Sequence, residues 1–168
     1  MYITAEELKS VLYEYQIQEI TEDDGAITDE AIASAEAEVR SYFEAANARR
    51  ETAGLNQQQY ANWVMYDINA IFSQSGKQRN AFLKRLIMRI AAHNICELAQ
   101  VDILSDKLIN QYESTISTLE KIAGTGDYKN ARIIVSGLPT ITPSPDNEDA
   151  SADKPFRMTS RQKFTHNF

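Results

Sequence analysis

The sequence has 168 residues, of which 43% are hydrophobic, enough for one domain with a buried core. Its net charge of −7 and its pI of about 4.9 argue against a dedicated nucleic-acid-binding protein, since such domains are usually strongly basic. No apolar run reaches the ~18 residues of a membrane span, and the N-terminus lacks a signal-peptide core, so we expect a soluble protein without membrane contact. A single cysteine cannot form an internal disulfide and favours a reducing compartment.

The first predicted element is a short helix at the N-terminus. Thr4 and Glu7 have the spacing of a capping box, in which each side chain bonds to the other residue's backbone N–H. The pattern therefore predicts a helix from Ala5 to about Tyr13, and its apolar residues follow the spacing of a helix.

An acidic turn and a long helix come next. Residues 21–26 predict the turn, and Thr28 is predicted to cap a helix that ends at about Ala48. Carboxylates in the first turn of this helix complement the helix dipole. One apolar stripe is expected to face the core: Ala31, Ile32, Ala35, Val39, Tyr42, Phe43 and Ala46.

The middle of the chain predicts a loop and two more helices. Asn47–Gln59 is polar and predicts a loop, Tyr60–Phe72 a helix, and Ser73–Gly76 a break. Gln78–Leu98 has the clearest helical periodicity in the chain. Its apolar residues recur at spacings of three and four: Phe82, Leu83, Leu86, Ile87, Ile90, Ala91, Ile95 and Leu98.

A last helix is predicted after Ser105, which would cap it, and Gly124 or Gly126 would end it in a left-handed conformation. The residues of this helix expected to face inward are Leu108, Ile109, Tyr112, Ile116, Leu119 and Ile122. After the helix, Ile133–Val135 is a short run of residues that favour a β-strand.

These elements predict an all-α fold, a bundle of four to five helices with an extended C-terminal arm. We expect a helical domain over residues 1–126 and an arm or linker over 127–155, which is rich in Pro, Ser and Asp. Residues 156–168 form a basic-aromatic peptide that suits docking onto a partner, although an unstructured tail with chance Phe residues is the alternative. The docking residues would be Phe156, Arg157, Arg161, Lys163, Phe164 and Phe168.

The charges are distributed unevenly along the chain. Residues 1–48 hold twelve acidic and two basic residues, a net charge of −10, whereas residues 49–168 hold fifteen basic and twelve acidic residues, a net charge of +3. This division is compatible with head-to-tail self-association, although acidic helix faces that keep the protein soluble are the simpler explanation. The candidate acidic interface comprises Glu22, Asp23, Asp24, Asp29 and Glu30.

Residues 68–96 carry five basic residues and no acidic one. They could contact nucleic-acid phosphates, form the positive side of a subunit interface, or be the solvated face of an amphipathic helix. The candidate residues for a DNA channel or subunit interface are Lys77, Arg79, Lys84, Arg85 and Arg89.

Other candidate sites have weak support. His93 and Cys96 share a helix face but fall short of a zinc ligand set, so a pair packed near the core is favoured. Residues 22–30 are too short for a calcium loop, and Ala26 stands at a ligand position. No nucleophile elbow, P-loop or dinucleotide fingerprint is present, so we expect no catalytic residues, metal or cofactor and do not expect an enzyme.

The order of these segments resembles the head–tail connector (adaptor, or head-completion) family of tailed bacteriophages and Mu-like prophages. A departure lies between Asn47 and Gln78, where the family commonly has a shorter connection that contains Pro. The resemblance rests on Met1–Leu8, Ile20–Ile32, Ala35–Phe43, Arg85–Leu98, Tyr112–Gly126 and Ser160–Thr165.

The resemblance implies a structural virion protein of the phage neck that assembles in the host cytoplasm. Copies would form a twelvefold homo-oligomeric ring that docks on the portal protein, carries the tail or a stopper protein, and lines the channel for packaged DNA without sequence specificity. The C-terminal arm would reach the portal or a neighbouring subunit. The alternative is a helical nucleic-acid-binding or regulatory protein.

Overall fold

The computed structural model describes residues 1–52, 64–99, 106–125 and 133–141, and the side chains of 49–52 are not described. In these ranges the chain is mostly helical, with a 3₁₀ turn at Gly76–Gln78 and one sheet of two strands. The helices are α1 (Ala5–Leu8), α2 (Glu14–Thr21), α3 (Gly25–Thr52), α4 (Ile68–Phe72), α5 (Ala81–Leu98) and α6 (Asp106–Ala123), and the strands are β1 (Met65–Tyr66) and β2 (Thr140–Ile141). The all-α prediction is confirmed, and the described ranges hold six helices rather than four to five.

Three long helices form the core, since α3, α5 and α6 each pack against the other two. The predicted stripe of α3 is confirmed, because all its members are buried except the half-buried Tyr42. The predicted inward face of α6 is correct at Leu119 and Ile122 but wrong at Ile109, which is 36% exposed. The apolar face of α6 is therefore buried most deeply near its C-terminal end.

The ends of α5 and α6 follow from local chemistry. Asn80 caps α5, because its Oδ1 accepts hydrogen bonds from the backbone N–H groups of Phe82 and Leu83 at 3.0 and 3.2 Å. The helix thus begins three residues later than predicted. Gly124 has a φ of +66° and ends α6, as predicted, because a glycine adopts the left-handed conformation without strain.

The N-terminal prediction is wrong in two places. Helix α1 ends at Leu8 instead of Tyr13, and the unpredicted helix α2 follows it. No Ser, Thr, Asp or Asn caps α2. Instead, the Tyr13 backbone N–H donates to Gln16 Oε1 at 3.2 Å.

Helix α3 is longer than predicted at both ends. It begins at Gly25, so Thr28 is not its cap but a buried residue of its first turns, only 5% exposed. It continues to Thr52, so the predicted loop from Asn47 is wrong over its first six residues. Asp24 precedes the helix and accepts from the Ala26 N–H at 2.9 Å, which satisfies an N-terminal donor.

The predicted helix over Tyr60–Phe72 is wrong at Met65 and Tyr66, which form β1, and only α4 is helical in the described part. Strand β1 pairs antiparallel with β2, with Tyr66 opposite Thr140. On the other side of Tyr66, the Asn47 side chain accepts from its N–H at 3.0 Å and donates to its C=O at 2.8 Å. This amide joins the C-terminal part of α3 to β1.

Residues 133–141, which lie within the predicted arm, pack against the helices. Ile133–Val135 does not form the predicted strand; the sheet lies later, at Thr140–Ile141. Val135 and Leu138 are 9% and 7% exposed and belong to the core, and the buried Val135 N–H donates to Tyr66 Oη at 3.0 Å. The described part of the arm is therefore anchored to the helical body.

Some predictions lie outside the described residues. These are the cap Ser105, the alternative stop Gly126, the first residues of the helix predicted from Tyr60, and the C-terminal peptide 156–168. Among the residues that are described, no helix is both long and apolar enough to cross a bilayer.

Candidate partner-binding surfaces

Two of the five candidate basic residues bind Glu7 within the chain. Arg79 donates to both carboxylate oxygens of Glu7, through Nη1 at 2.7 Å and Nη2 at 2.6 Å, and Lys84 Nζ donates at 2.7 Å. The Thr4 N–H adds a bond of 3.2 Å, which is the expected capping-box contact. The hydrogen bonds from Arg79, followed by those from Lys84 and Thr4, lower the pKa of Glu7 to about 2 despite its partial desolvation.

The other three basic residues remain available to a partner. Lys77 lies exposed on the 3₁₀ turn, and Arg85 and Arg89 lie one turn apart on α5, where Arg85 is exposed and Arg89 is half-buried. The Arg85 guanidinium sits 5.6 Å from the centre of the Phe82 ring, a cation–π contact that leaves its edge free for other partners. Within the described ranges, none of the three forms an ion pair.

The five candidate acidic residues lie together where α2 meets α3. Glu22 and Asp23 have φ values of +51° and +64°, so the chain reverses there through two left-handed residues. All five side chains are exposed: Glu22, Asp23, Asp24, Asp29 and Glu30. In the described part of the chain no group of three or more His, Cys, Asp or Glu side chains is placed to hold a metal ion. This turn is an exposed acidic surface.

A cleft lies beside this turn, between α1, α2 and the first turns of α3. Ala5 and Ile17 supply apolar surface, and Ile17 packs on the core. The charged side chains on its lining are Glu6, Lys9, Glu14 and Asp29. Its volume is about 270 Å³, below the roughly 300–1,000 Å³ of typical small-molecule sites. We call it the acidic cleft, and its size suits a side chain of a partner protein better than a whole small-molecule ligand.

Two exposed tyrosines on either side of Glu14 in the sequence were not predicted as functional. Tyr13 and Tyr15 flank Glu14 in sequence and are 67% and 61% exposed, and their rings stack with centres 5.7 Å apart. Exposed tyrosines are typical of partner-binding surfaces. The signal in the sequence was Gln16, three residues after Tyr13, whose side chain accepts from the Tyr13 N–H at the start of α2.

The His93–Cys96 pair lies against the core, as favoured from the sequence. Cys96 is 3% exposed, and burial raises the pKa of its thiol, so it is a poor nucleophile. The His93 ring stacks on Tyr112 with centres 4.1 Å apart, and Tyr112 Oη donates to Glu38 Oε1 at 3.3 Å. These contacts join α3, α5 and α6 and give the cluster a packing role.

The six candidate docking residues of the C-terminal peptide lie outside the described residues. Comparisons of the chain with protein-family models, with curated proteins and with solved structures found no match.

Proposed function

We propose that this chain is a structural, non-catalytic subunit of a tailed-phage head–tail connector. In this role its copies form a ring, twelvefold in symmetry, that docks on the portal protein and carries the tail or a stopper protein in the virion neck. The proposal rests first on the sequence resemblance to connector proteins. The helical bundle with an extended C-terminal segment is the architecture which that resemblance implied.

The observation that carries the proposal is the polarity of the molecule along α3. The acidic surface around Asp29 lies near the N-terminal end of this helix, while Asn47, near its other end, holds β1 and through it β2. Asp29 and Asn47 are 18 residues apart, which is about 27 Å along an α-helix. A subunit with unlike ends can associate head to tail, and such heterologous contacts form a ring when the rotation between successive copies closes.

Three basic residues support a DNA channel: Lys77 and Arg85 are exposed, and Arg89 is half-buried. Lys77, Arg85 and Arg89 form no ion pair in the described ranges, so their charges remain available to phosphates. Contacts of this kind hold DNA without reading its sequence, which a channel for packaged DNA requires. The same residues are the basis of the second candidate function, a helical nucleic-acid-binding or regulatory protein.

The test is binding to the portal protein of the same phage. Full-length protein is mixed with the portal, recovered by pull-down and imaged by negative stain, beside a truncated variant that ends at Thr142. The truncation keeps Thr140 and Ile141, because removing them would take away the partner of β1 and confuse a folding defect with a binding defect.

Rings that cap the portal would support the connector. Rings with the full chain but not with the variant would also place the anchor beyond Thr142. Absence of binding by the full chain would overturn the connector and favour the nucleic-acid-binding alternative, which predicts a salt-dependent affinity for DNA without any portal.

A further inference from the structure

We propose that the acidic cleft binds the C-terminal peptide, residues 156–168, of a neighbouring copy of the same chain. This inference rests on the proposed ring and names the contact that would join one subunit to the next. The cleft and the peptide both belong to this chain, so the charges and apolar groups of both can be compared directly.

The cleft offers two kinds of contact that a basic-aromatic peptide requires. Its apolar surface, from Ala5 and Ile17, can take a Phe ring, and burial of such a ring is the usual anchor of a peptide contact. Its carboxylates, from Glu6, Glu14 and Asp29, outnumber its one cation, Lys9.

The one cation on the cleft does not block it. Lys9 is bound to Glu14 at 2.8 Å, with both side chains well exposed. Exposed pairs of this kind contribute little to stability, so Glu14 can exchange Lys9 for an incoming Arg or Lys at small cost. Tyr13 and Tyr15, the sequence neighbours of Glu14, are exposed and stacked on each other, and their outer faces can accept a guanidinium.

The peptide has complementary chemistry. Over residues 156–168 it carries three Phe, two Arg and one Lys, and it has no acidic side chain. Opposite charges on the two surfaces accelerate the encounter and disfavour pairing of like ends. Among the exposed surfaces in the described ranges, this cleft combines apolar lining with an excess of carboxylates, whereas the cleft at Phe82 and Ile133–Ser136 has no acidic lining residue.

The tether of the peptide is long enough to reach the acidic cleft of a neighbouring copy as well as that of its own chain. The last described residue, Ile141, lies in the sheet held by the Asn47 end of α3, and the acidic cleft lies at the Gly25 end. Fourteen residues, 142–155, separate Ile141 from the peptide and span at most about 50 Å when fully extended. Copies placed head to tail bring this exit point beside the next cleft, and in a ring the tether raises the effective concentration of the peptide.

The first experiment distinguishes binding between copies from binding within one copy. Full-length protein labelled with ¹⁵N is mixed with unlabelled protein, a zero-length reagent joins carboxylates to amines in close contact, and the linked peptides are identified by mass spectrometry. We expect links between Lys163 and Glu6, Glu14 or Asp29 that combine one labelled and one unlabelled chain. The Lys9–Glu14 pair provides the internal control, because it links within one chain.

Links of Lys163 to these carboxylates within single chains only, or no such links while Lys9–Glu14 links form, would overturn the inference. The portal experiment is independent of this result. Rings on the portal without the predicted links would support the connector and overturn the binding of the C-terminal peptide to the cleft. The predicted links without binding to the portal would support the peptide contact and overturn the connector.

A second experiment exchanges the charges. Glu14→Lys with Asp29→Lys is expected to weaken self-association of the full chain about tenfold or more in sedimentation velocity, from the loss of two complementary charges. Mixing this variant with an Arg161→Glu, Lys163→Glu variant should restore self-association, because the reversed cleft of one variant then meets the reversed peptide of the other. Glu19→Lys, an exposed change on α2 outside the cleft lining, is the matched control. Equal weakening by the control, or no recovery in the mixture, would contradict the proposal.

Discussion

Arg79 holds Glu7 by two hydrogen bonds across 72 residues of sequence, with N–O distances of 2.7 and 2.6 Å. The same guanidinium donates to the carbonyl oxygens of Tyr2 at 2.6 Å and Gly76 at 3.0 Å. The two side chains are only 13% and 22% exposed, so water screens the pair less than it does an ordinary surface pair. Arg79 thus ties α1 and the residues before it to the turn that precedes α5.

The first prediction is that Arg79→Lys destabilises the protein by about 1–3 kcal/mol, because a lysine cannot reproduce the forked contact with Glu7 and the two carbonyl bonds. Urea denaturation followed by circular dichroism measures the change. Arg85→Lys, an exposed arginine without an ion pair in the described ranges, is the control and should change stability by less than about 0.5 kcal/mol. A similar loss in both variants would refute the role given to Arg79.

The second prediction concerns pH. The pKa of Glu7 is about 2 in the folded chain, below its ordinary value of 4.5, so the folded state binds the proton less readily than the unfolded state does. The stability that Glu7 contributes is therefore complete above about pH 5 and is lost as the pH falls towards 2. Wild type should exceed Glu7→Gln in free energy of unfolding at pH 7, and this difference should shrink steadily below pH 5.

Denaturation curves at pH 7, 5, 4 and 3 measure this difference, with the exposed Glu19→Gln as the control. A difference between wild type and Glu7→Gln that stays constant from pH 7 to pH 3 would rule out an ionised, hydrogen-bonded Glu7 as its source.

The third prediction concerns the anchor of the C-terminal segment. Tyr66 Oη accepts the buried Val135 N–H at 3.0 Å, and the ring packs edge-on against Phe43 with centres 5.0 Å apart. Tyr66→Phe keeps the ring but leaves a buried donor unpaired, which should cost about 1–3 kcal/mol. Hydrogen exchange at the Val135 amide should accelerate markedly. The control is Tyr13→Phe, which removes an exposed hydroxyl and should leave both the stability and the exchange of the Val135 amide unchanged. Unaltered exchange at Val135 in Tyr66→Phe would contradict the hydrogen bond from Val135 to Tyr66.

The long helices could be predicted because their apolar residues recur at helical spacing and face the core over many turns. The stripe of α3 and the periodicity of α5 are of this kind, and Gly124 ends α6 because its left-handed φ favours a glycine. Helix α2 could not be predicted, because its start has no conventional cap and its few apolar residues, Ile17 and Ile20, are only partly buried. Its existence depends on packing against α3 and α5, which sequence spacing does not reveal.

The candidate surfaces were predictable in composition but not in arrangement. The sequence groups Arg79 and Lys84 with the other basic residues, yet both bind Glu7, more than 70 residues away. Partners at such separations are chosen by the tertiary fold, so a run of like charges does not show which of them remain exposed. The acidic turn is different, because Glu22 and Asp23 are adjacent and their exposure follows from a local chain reversal.

The fourth prediction is that Glu38→Gln raises the melting temperature slightly at pH 7. Burial raises the pKa of Glu38 above 4.5, while Tyr112 and His93 lower it and Glu97 raises it. A carboxyl with a raised folded pKa destabilises the fold when it ionises, so the gain from Gln should appear above that pKa and vanish below about pH 4.5.

The gain should be small, because Glu38 is only partly buried and water screens its charge. Differential scanning calorimetry from pH 4 to 8 tests this, with the exposed Glu44→Gln as the control. A loss of stability at pH 7 would mean that the contact with Tyr112 requires the charge.

The fifth prediction concerns DNA. On α5, Arg85 is exposed and Arg89 is half-buried. Each phosphate contact contributes about 0.9 to the slope of log K against log salt concentration. Replacing both by Gln should lower that slope by up to about 2, with equal loss on unrelated duplex sequences, because phosphate contacts do not read bases. Fluorescence anisotropy with short duplexes at several salt concentrations measures it, and Lys107→Gln, exposed at the start of α6, is the control. An unchanged slope would remove these two arginines from the channel lining, because a residue that neutralises a phosphate must release a counterion when it binds.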